Sequence, residues 1–141
     1  MYDLAQFRYA LRKFLRFSEN AARRCGVTPQ QHQLLLGIQG FTGRGLATVS
    51  ELAEFLQEYQ HSVIGLIERA EQNGLVRRTQ DAANCRVVNV ALSPEGKRTL
   101  LRLTRLHCHE AKRLRGLWNM CELPIQTRNR NRPKSSNGAG T

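Results

Sequence analysis

The chain has 141 residues and a mass of 16.1 kDa, enough for one domain and too little for a second full one. Hydrophobic residues make up 40%, sufficient for a core, while 22 Lys plus Arg against 11 Asp plus Glu give a net charge of +11. That excess favours a polyanionic partner, nucleic acid or an anionic membrane surface, and without any apolar run of spanning length or charged-then-apolar leader a soluble, cytoplasmic protein is expected.

In chain order, Leu4, Phe7, Leu11, Phe14, Ser18, Ala21 and Cys25 alternate at spacings of three and four. This stripe predicts a long helix over Asp3–Arg24, ended by Gly26. Thr28, Pro29 and Gln31 form a capping-box signature for a second helix, whose buried face is Leu34, Leu35 and Ile38. Gly40, Gly43 and Gly45 break it. A second box, Thr48 to Glu51, opens a short third helix with Leu52, Ala53 and Leu56 inward. After a tight link, His61–Gln72 reads as a fourth helix on Val63, Leu66, Ile67 and Ala70, stopped by Asn73-Gly74.

The period then becomes alternating. Leu75–Thr79 and Arg86–Leu92 are predicted strands of a hairpin, joined by a polar loop over Gln80–Cys85. Ser93 caps a last helix running to about Glu122, with a stripe of Leu100, Leu103, His107, Ala111, Leu114, Trp118 and Cys121. That helix is roughly 40 Å long, about the diameter of the whole domain, so neither it nor the first helix can bury its stripe inside one subunit. A two-fold homodimer is the simplest solution. Arg128, Arg130, Arg132 and Lys134 lie in a tail without acids, expected to be disordered over 123–141, and leave +7 on the body. The expected organisation is a single domain over 1–122, with a winged helix-turn-helix at about 46–92 and dimerisation helices at about 3–25 and 94–122. The fold class is mainly α with a small β-hairpin wing.

Two short helices leading into a hairpin form the pattern of a winged helix-turn-helix, whose second helix can lie in the DNA major groove. Opposite the apolar stripe of that helix stand His61, Gly65, Glu68 and Gln72, flanked by Ser62 and Arg69. His61 and Ser62 are hydrogen-bonding groups at the helix start, and Gly65 lets the backbone approach. The hairpin adds Arg77, Arg78 and Arg86 for phosphates, with Asn84 and Arg86 near a tip suited to the minor groove. Between Glu51 and Glu71, however, five acids face a single base, Arg69. The positive charge lies on the first helix, the hairpin, the last helix and the tail.

Other chemistry has little support in the residues. Cys25, Cys85, Cys108 and Cys121 are too scattered for a disulfide scaffold. His107 and His109 flank Cys108, but neighbours on a helix diverge by about 100° and cannot converge on a metal. No phosphate loop, nucleophile elbow or acid–base pair appears, so neither catalysis, nor a metal, nor a cofactor is expected.

Thr48-Val49-Ser50-Glu51-Leu52-Ala53, then His61-Ser62-Val63 through Asn73-Gly74-Leu75-Val76-Arg77-Arg78, and the junction Leu92-Ser93-Pro94-Glu95-Gly96 together resemble the MarR family of bacterial regulators. Asp81 and Arg86 occupy the family's wing places, and the resemblance spans about residues 1–121. It implies a homodimeric transcriptional regulator, usually a repressor, reading a palindromic operator in double-stranded DNA. By position it gives Gln60, His61, Ser62, Ile64 and Gly65 to the groove, Arg77 and Arg78 to phosphates, and Arg86 to the wing. Three features depart from the pattern. Tyr59 stands where a Ser, Thr or Asp cap is commoner, Asn84 replaces a second wing Asp, and a polar tail replaces the closing short helix.

The resemblance also implies a small aromatic effector bound between the dimer helices and the DNA-binding lobe. Phe14, Phe17, His32, Leu35 and Leu106 are the residues expected to line that site. Two alternatives remain open at this point: a thiol-based redox sensor using Cys85 beside Arg86, and a dimerisation partner or antirepressor that keeps the fold without binding DNA.

Overall fold

The structure, a computed structural model, describes residues 1–120, without the side chains of residues 111, 114 and 116–120. The expected packing of Leu114, Trp118 and Cys121 and the basic tail at 123–141 lie outside that description. Helix α1 (Tyr2–Arg24) follows the sequence stripe and turns at Gly26, whose φ of +78° suits glycine. Helix α2 (Pro29–Leu36) begins at the capping box as read from the sequence. The Gln31 backbone N–H donates to Thr28 Oγ1 at 3.1 Å, and the Thr28 N–H donates to Gln31 Oε1 at 3.1 Å. Such a cap stabilises a helix by about 1 kcal/mol.

The end of α2 differs from the reading. It passes into a π-helical turn over Gly37–Phe41 before the glycines stop it. Gly37 is needed there, because a Cβ would lie 2.6 Å from the Phe55 ring of α3. Strand β1 (Leu46–Thr48) follows, then α3 (Val49–Leu56), α4 (Gln60–Gln72), β2 (Val76–Gln80), β3 (Val88–Leu92) and α5 (Pro94–Met120). Thr48 accepts from the Glu51 N–H, so it caps α3, but the Glu51 carboxylate turns to Arg44 and the Thr48 hydroxyl instead of closing the box.

The hairpin wing is a three-stranded antiparallel sheet in the order β1-β3-β2, with Leu46 opposite Ala91 and Val76 opposite Leu92. β1 has only three residues, too few to show alternation, and exists because β3 offers it a free edge. β3 begins at Val88 and not at Arg86 because residues before it are held in the wing turn. Leu34, Leu35 and Ile38, Leu52, Val63 and Ile67, Val76, Val90 and Leu103 form the fully buried centre. Each such side chain contributes about 2–3 kcal/mol by leaving water. The two long helices are less covered: Leu4 is 61% and Leu101 52% exposed, and Tyr9, Leu15 and Leu106 are exposed too.

At the start of α5, Ser93 accepts from the Gly96 N–H at 3.0 Å and donates to the Gly74 carbonyl, while its own N–H donates to Leu75 O at 2.9 Å. A Cβ at Gly96 would stand 2.0 Å from that same Leu75 oxygen. Gly96→Ala is therefore expected to lower unfolding stability by about 1–3 kcal/mol, the usual range for overpacking. Urea denaturation checks it; a stability equal to the parent's would show that the joint yields freely.

Candidate nucleic-acid interface

Helix α4 buries Val63, Leu66, Ile67 and Ala70 and turns its other side outward. His61, Ile64, Gly65 and Glu68 stand at i, i+3, i+4 and i+7, so they form one outer strip. Ser62 and Arg69 flank it and are exposed. Gly65 is sterically open: a Cβ there would make only ordinary contact, 3.5 Å from Arg69 Nη1. No side chain caps α4, since Tyr59 at the N-cap has no group to reach back. Tyr59 instead stacks on His61, with ring centroids 5.6 Å apart and planes 8° apart. Gln60 is engaged internally, its Nε2 donating to Ser50 Oγ at 3.2 Å and tying α4 to the first turn of α3.

A cleft of about 530 Å³ runs beside this strip, between α4 and the Gln30–Gln33 side of α2. Leu56 and Leu66 form its apolar wall, and His61, Ser62 and Arg69 its polar one.

The wing is a hydrogen-bonded turn. Asp81 Oδ1 accepts from the N–H groups of Ala83 at 2.8 Å and Asn84 at 3.2 Å, and Oδ2 accepts from Asn89 Nδ2 at 3.4 Å. These donors, Ala83 first, hold the Asp81 carboxyl below its ordinary range. Asn84 Oδ1 accepts from the Arg86 N–H at 3.1 Å, so Asn84 positions Arg86. Arg86 itself is exposed, as is the free thiol of Cys85 beside it.

The arginines of the lobe are not equivalent. Arg78 is held by Glu71, with Nη2 2.9 Å from Oε1 and both Nε and the backbone N–H on Oε2. That pairing holds the Glu71 carboxyl down and raises Arg78. Arg44 is paired with Glu51. Among the described residues, Arg69, Arg77 and Arg86 are the lobe's arginines outside ion pairs.

A second cluster lies where α1, α2 and α5 meet. The His107 ring stands 6.0 Å from Phe14, 5.4 Å from Phe17 and 4.9 Å from His32 by centroid. Three of the five residues expected to line an effector site thus surround a residue that the sequence placed only in a packing stripe. Leu35 is fully buried in the core, and Leu106 is 40% exposed. His107 Nδ1 lies 2.6 Å from the Leu103 carbonyl, which can only accept, so Nδ1 carries the proton and Nε2 is an acceptor. That Nε2 and His32 Nδ1 are buried without a hydrogen-bond partner. Burial, and then the neighbouring His107, push the His32 imidazole down to about 4. Among the described residues no group of three or more His, Cys, Asp or Glu could hold a metal ion.

The MarR family model matches residues 26–86, from the end of α1 to the wing tip. Two relatives from Bacillus subtilis (strain 168) are similar to the chain. The uncharacterized HTH-type transcriptional regulator YsmB is 35% identical over 74 residues, 52% of this chain and 49% of that protein. The HTH-type transcriptional repressor MdtR is 34% identical over 71 residues, 50% of this chain and 44% of that protein. The chain therefore spans about half the length of these relatives. In fold it is similar to a mutant of S. aureus MepR bound to an oligodeoxyribonucleotide, with a TM-score of 0.65 over 82% of this chain and 83% of that one at 21% identity. No helix among the described residues is long and apolar enough to cross a membrane.

The buried His32 makes stability depend on pH with a definite sign. Its folded pKa, about 4, lies below the ordinary 6.5, so the fold favours the neutral ring. The full contribution is present above pH 6.5 and falls away as pH drops through the window toward 4. His32→Gln is expected to flatten unfolding stability measured across that window; an unchanged slope would place the acid sensitivity elsewhere.

Proposed function

We propose that this chain, whose residues 26–86 match the MarR family model, is a MarR-type sequence-specific DNA-binding transcriptional regulator that works as a homodimer on a palindromic operator. The observation that carries this reading is the pairing of an open, outward helix strip at His61, Ser62 and Gly65 with a wing that presents Arg86. A helix end without a side-chain cap adds to it, because first-turn N–H groups suit a backbone phosphate. Gln60 and Asn84 serve in this reading by holding α4 and Arg86 in place, and Arg78 is already neutralised by Glu71. Arg77 and Arg86 are the phosphate contacts, with Arg69 behind the strip. The relative MdtR is a repressor, and repression is the mode proposed here.

The exposed apolar residues of α1 and α5, Leu4 and Leu101 among them, support the dimer. A small aromatic effector would act at the Phe14, Phe17 and His32 cluster around His107. The buried acceptor at His107 Nε2 favours a ligand that donates, such as a phenol or a protonated acid. Such a ligand would wedge the α1–α5 frame against α2 and change the spacing of the two recognition helices away from the roughly 34 Å between successive major grooves.

Fluorescence anisotropy on the DNA flanking the chain's own gene tests the core of this reading. Arg86→Ala is expected to weaken binding to every duplex and to lower the salt slope by about one. His61→Ala is expected to cost about 1–3 kcal/mol on the cognate site and little on random DNA. Equal losses on both DNAs for both variants would remove the division between positioning and reading. Light scattering should give a dimer mass, and Leu101→Glu a monomer.

For the effector, phenolic acids are expected to release DNA from the parent protein and to fail with Phe17→Ala. Release that survives Phe17→Ala and His32→Ala alike would move the site elsewhere.

A further inference from the structure

The reading strip of α4 lacks the groups that most often distinguish guanine or adenine. Bidentate recognition needs a free Arg, Lys, Asn or Gln near the helix start. Here Gln60 Nε2 already donates to Ser50 Oγ, and the one cation of the helix, Arg69, enters two and a half turns on and flanks the strip, with its guanidinium beside Gly65. Arg78, beyond the helix, is bound to Glu71. The first two turns therefore present single hydrogen-bonding groups, His61 and Ser62, and two apolar ones. Tyr59 is 75% exposed and Ile64 41% exposed, on a helix whose other large apolar residues are buried. The Tyr59 ring lies flat against His61, so the imidazole and the phenol ring form one plate at the helix entry.

A major groove offers one apolar feature, the C5 methyl of thymine. We infer that Tyr59 and Ile64 are specificity-determining residues that read thymine methyl groups, so the operator half-site carries A·T pairs with thymines facing the N-terminal half of α4. This inference rests on the DNA-binding reading above and adds to it the chemistry of base choice. Tyr59 gains a role here that its place in the sequence, as a poor helix cap, conceals. His61, held by the ring beside it, supplies the hydrogen bond that fixes register, and Glu68, two turns on, stands where a guanine or phosphate contact would find no donor.

The test begins with selection of bound duplexes from a random pool by the full chain. Enrichment of no sequence would overturn the DNA-binding reading and this inference with it. With a selected duplex in hand, each thymine of the half-site is replaced in turn by deoxyuridine, which removes the methyl and leaves pairing intact. At one or two positions the parent protein is expected to lose about four-fold in affinity per methyl, the value of one buried carbon. Ile64→Ala and Tyr59→Ala should each abolish that loss at one of these positions while keeping it at the other. Their binding to random DNA should stay within two-fold of the parent, which separates lost reading from lost folding. Tight, specific binding with no sensitivity to deoxyuridine overturns the inference and leaves the DNA-binding reading standing. The inference falls in the same way if the sensitivity persists in both variants, or if selection enriches guanine opposite the start of α4.

Discussion

The joint between Gly74, Leu75, Ser93 and Gly96 sets the geometry on which everything else depends. One serine hydroxyl closes the C-terminal turn of α4 and opens α5, and its backbone N–H joins the same turn to the end of β3. Gly74 supplies the left-handed turn, at φ +71°, that brings β2 back under the helix. Gly96 lets the start of α5 touch the Leu75 carbonyl. Because the recognition helix, the wing and the long last helix all leave from these few atoms, their relative directions are fixed by contact and not by loop length.

Helix α2 is the other element that both halves share. It carries His32 toward His107 on α5 and the phenylalanines of α1, and its opposite side forms a wall of the cleft beside α4. The capping box fixes its start, and Gly37 presses its end onto Phe55 of α3. Two imidazole nitrogens left without partners in its apolar seam are a standing cost to the fold.

Much of this arrangement was legible in the sequence, for identifiable reasons. Helices α1, α2, α4 and α5 follow from stripes of three and four and from caps whose residues act locally, as Thr28 with Gln31 and Ser93 with Gly96 show. The wing hairpin follows from alternation at Val88, Val90 and Leu92. What was not legible depends on partners distant in the chain. β1 exists only by pairing with β3, and the π-helical turn only by packing Gly37 on Phe55. Among the candidate DNA contacts, residue type alone does not show which side chains already have partners within the lobe. Arg78 has the chemistry of a phosphate contact, yet Glu71 stands within 2.9 Å of it. Asn84 and Gln60 have the chemistry of base contacts, and each also makes a hydrogen bond to a neighbour, Asn84 to the Arg86 N–H and Gln60 to Ser50. His107 was hidden because a histidine in a helical stripe reads as packing until the rings around it are seen.

Charge is distributed in a way that bears on how such a protein holds DNA. Residues 26–93 carry five basic and six acidic side chains, whereas residues 1–25 carry six against two and residues 94–120 seven against two. Residues 26–93 are thus close to neutral, and two of their five arginines are paired internally. On the proposed DNA-binding reading, so few free cations would displace few counterions, and the salt dependence of the complex would be shallow compared with that of a basic reading helix. The cations of α1 and α5 lie outside residues 26–93, and their field falls off over about 8–10 Å at physiological salt. In the proposed dimer, affinity would rest on both lobes engaging at once, since neither would hold strongly by charge alone. A dimer built in this proposed way would be sensitive to the spacing of its two α4 helices: a small rotation of α1 and α5 would remove the second contact and leave only a weak electrostatic remainder.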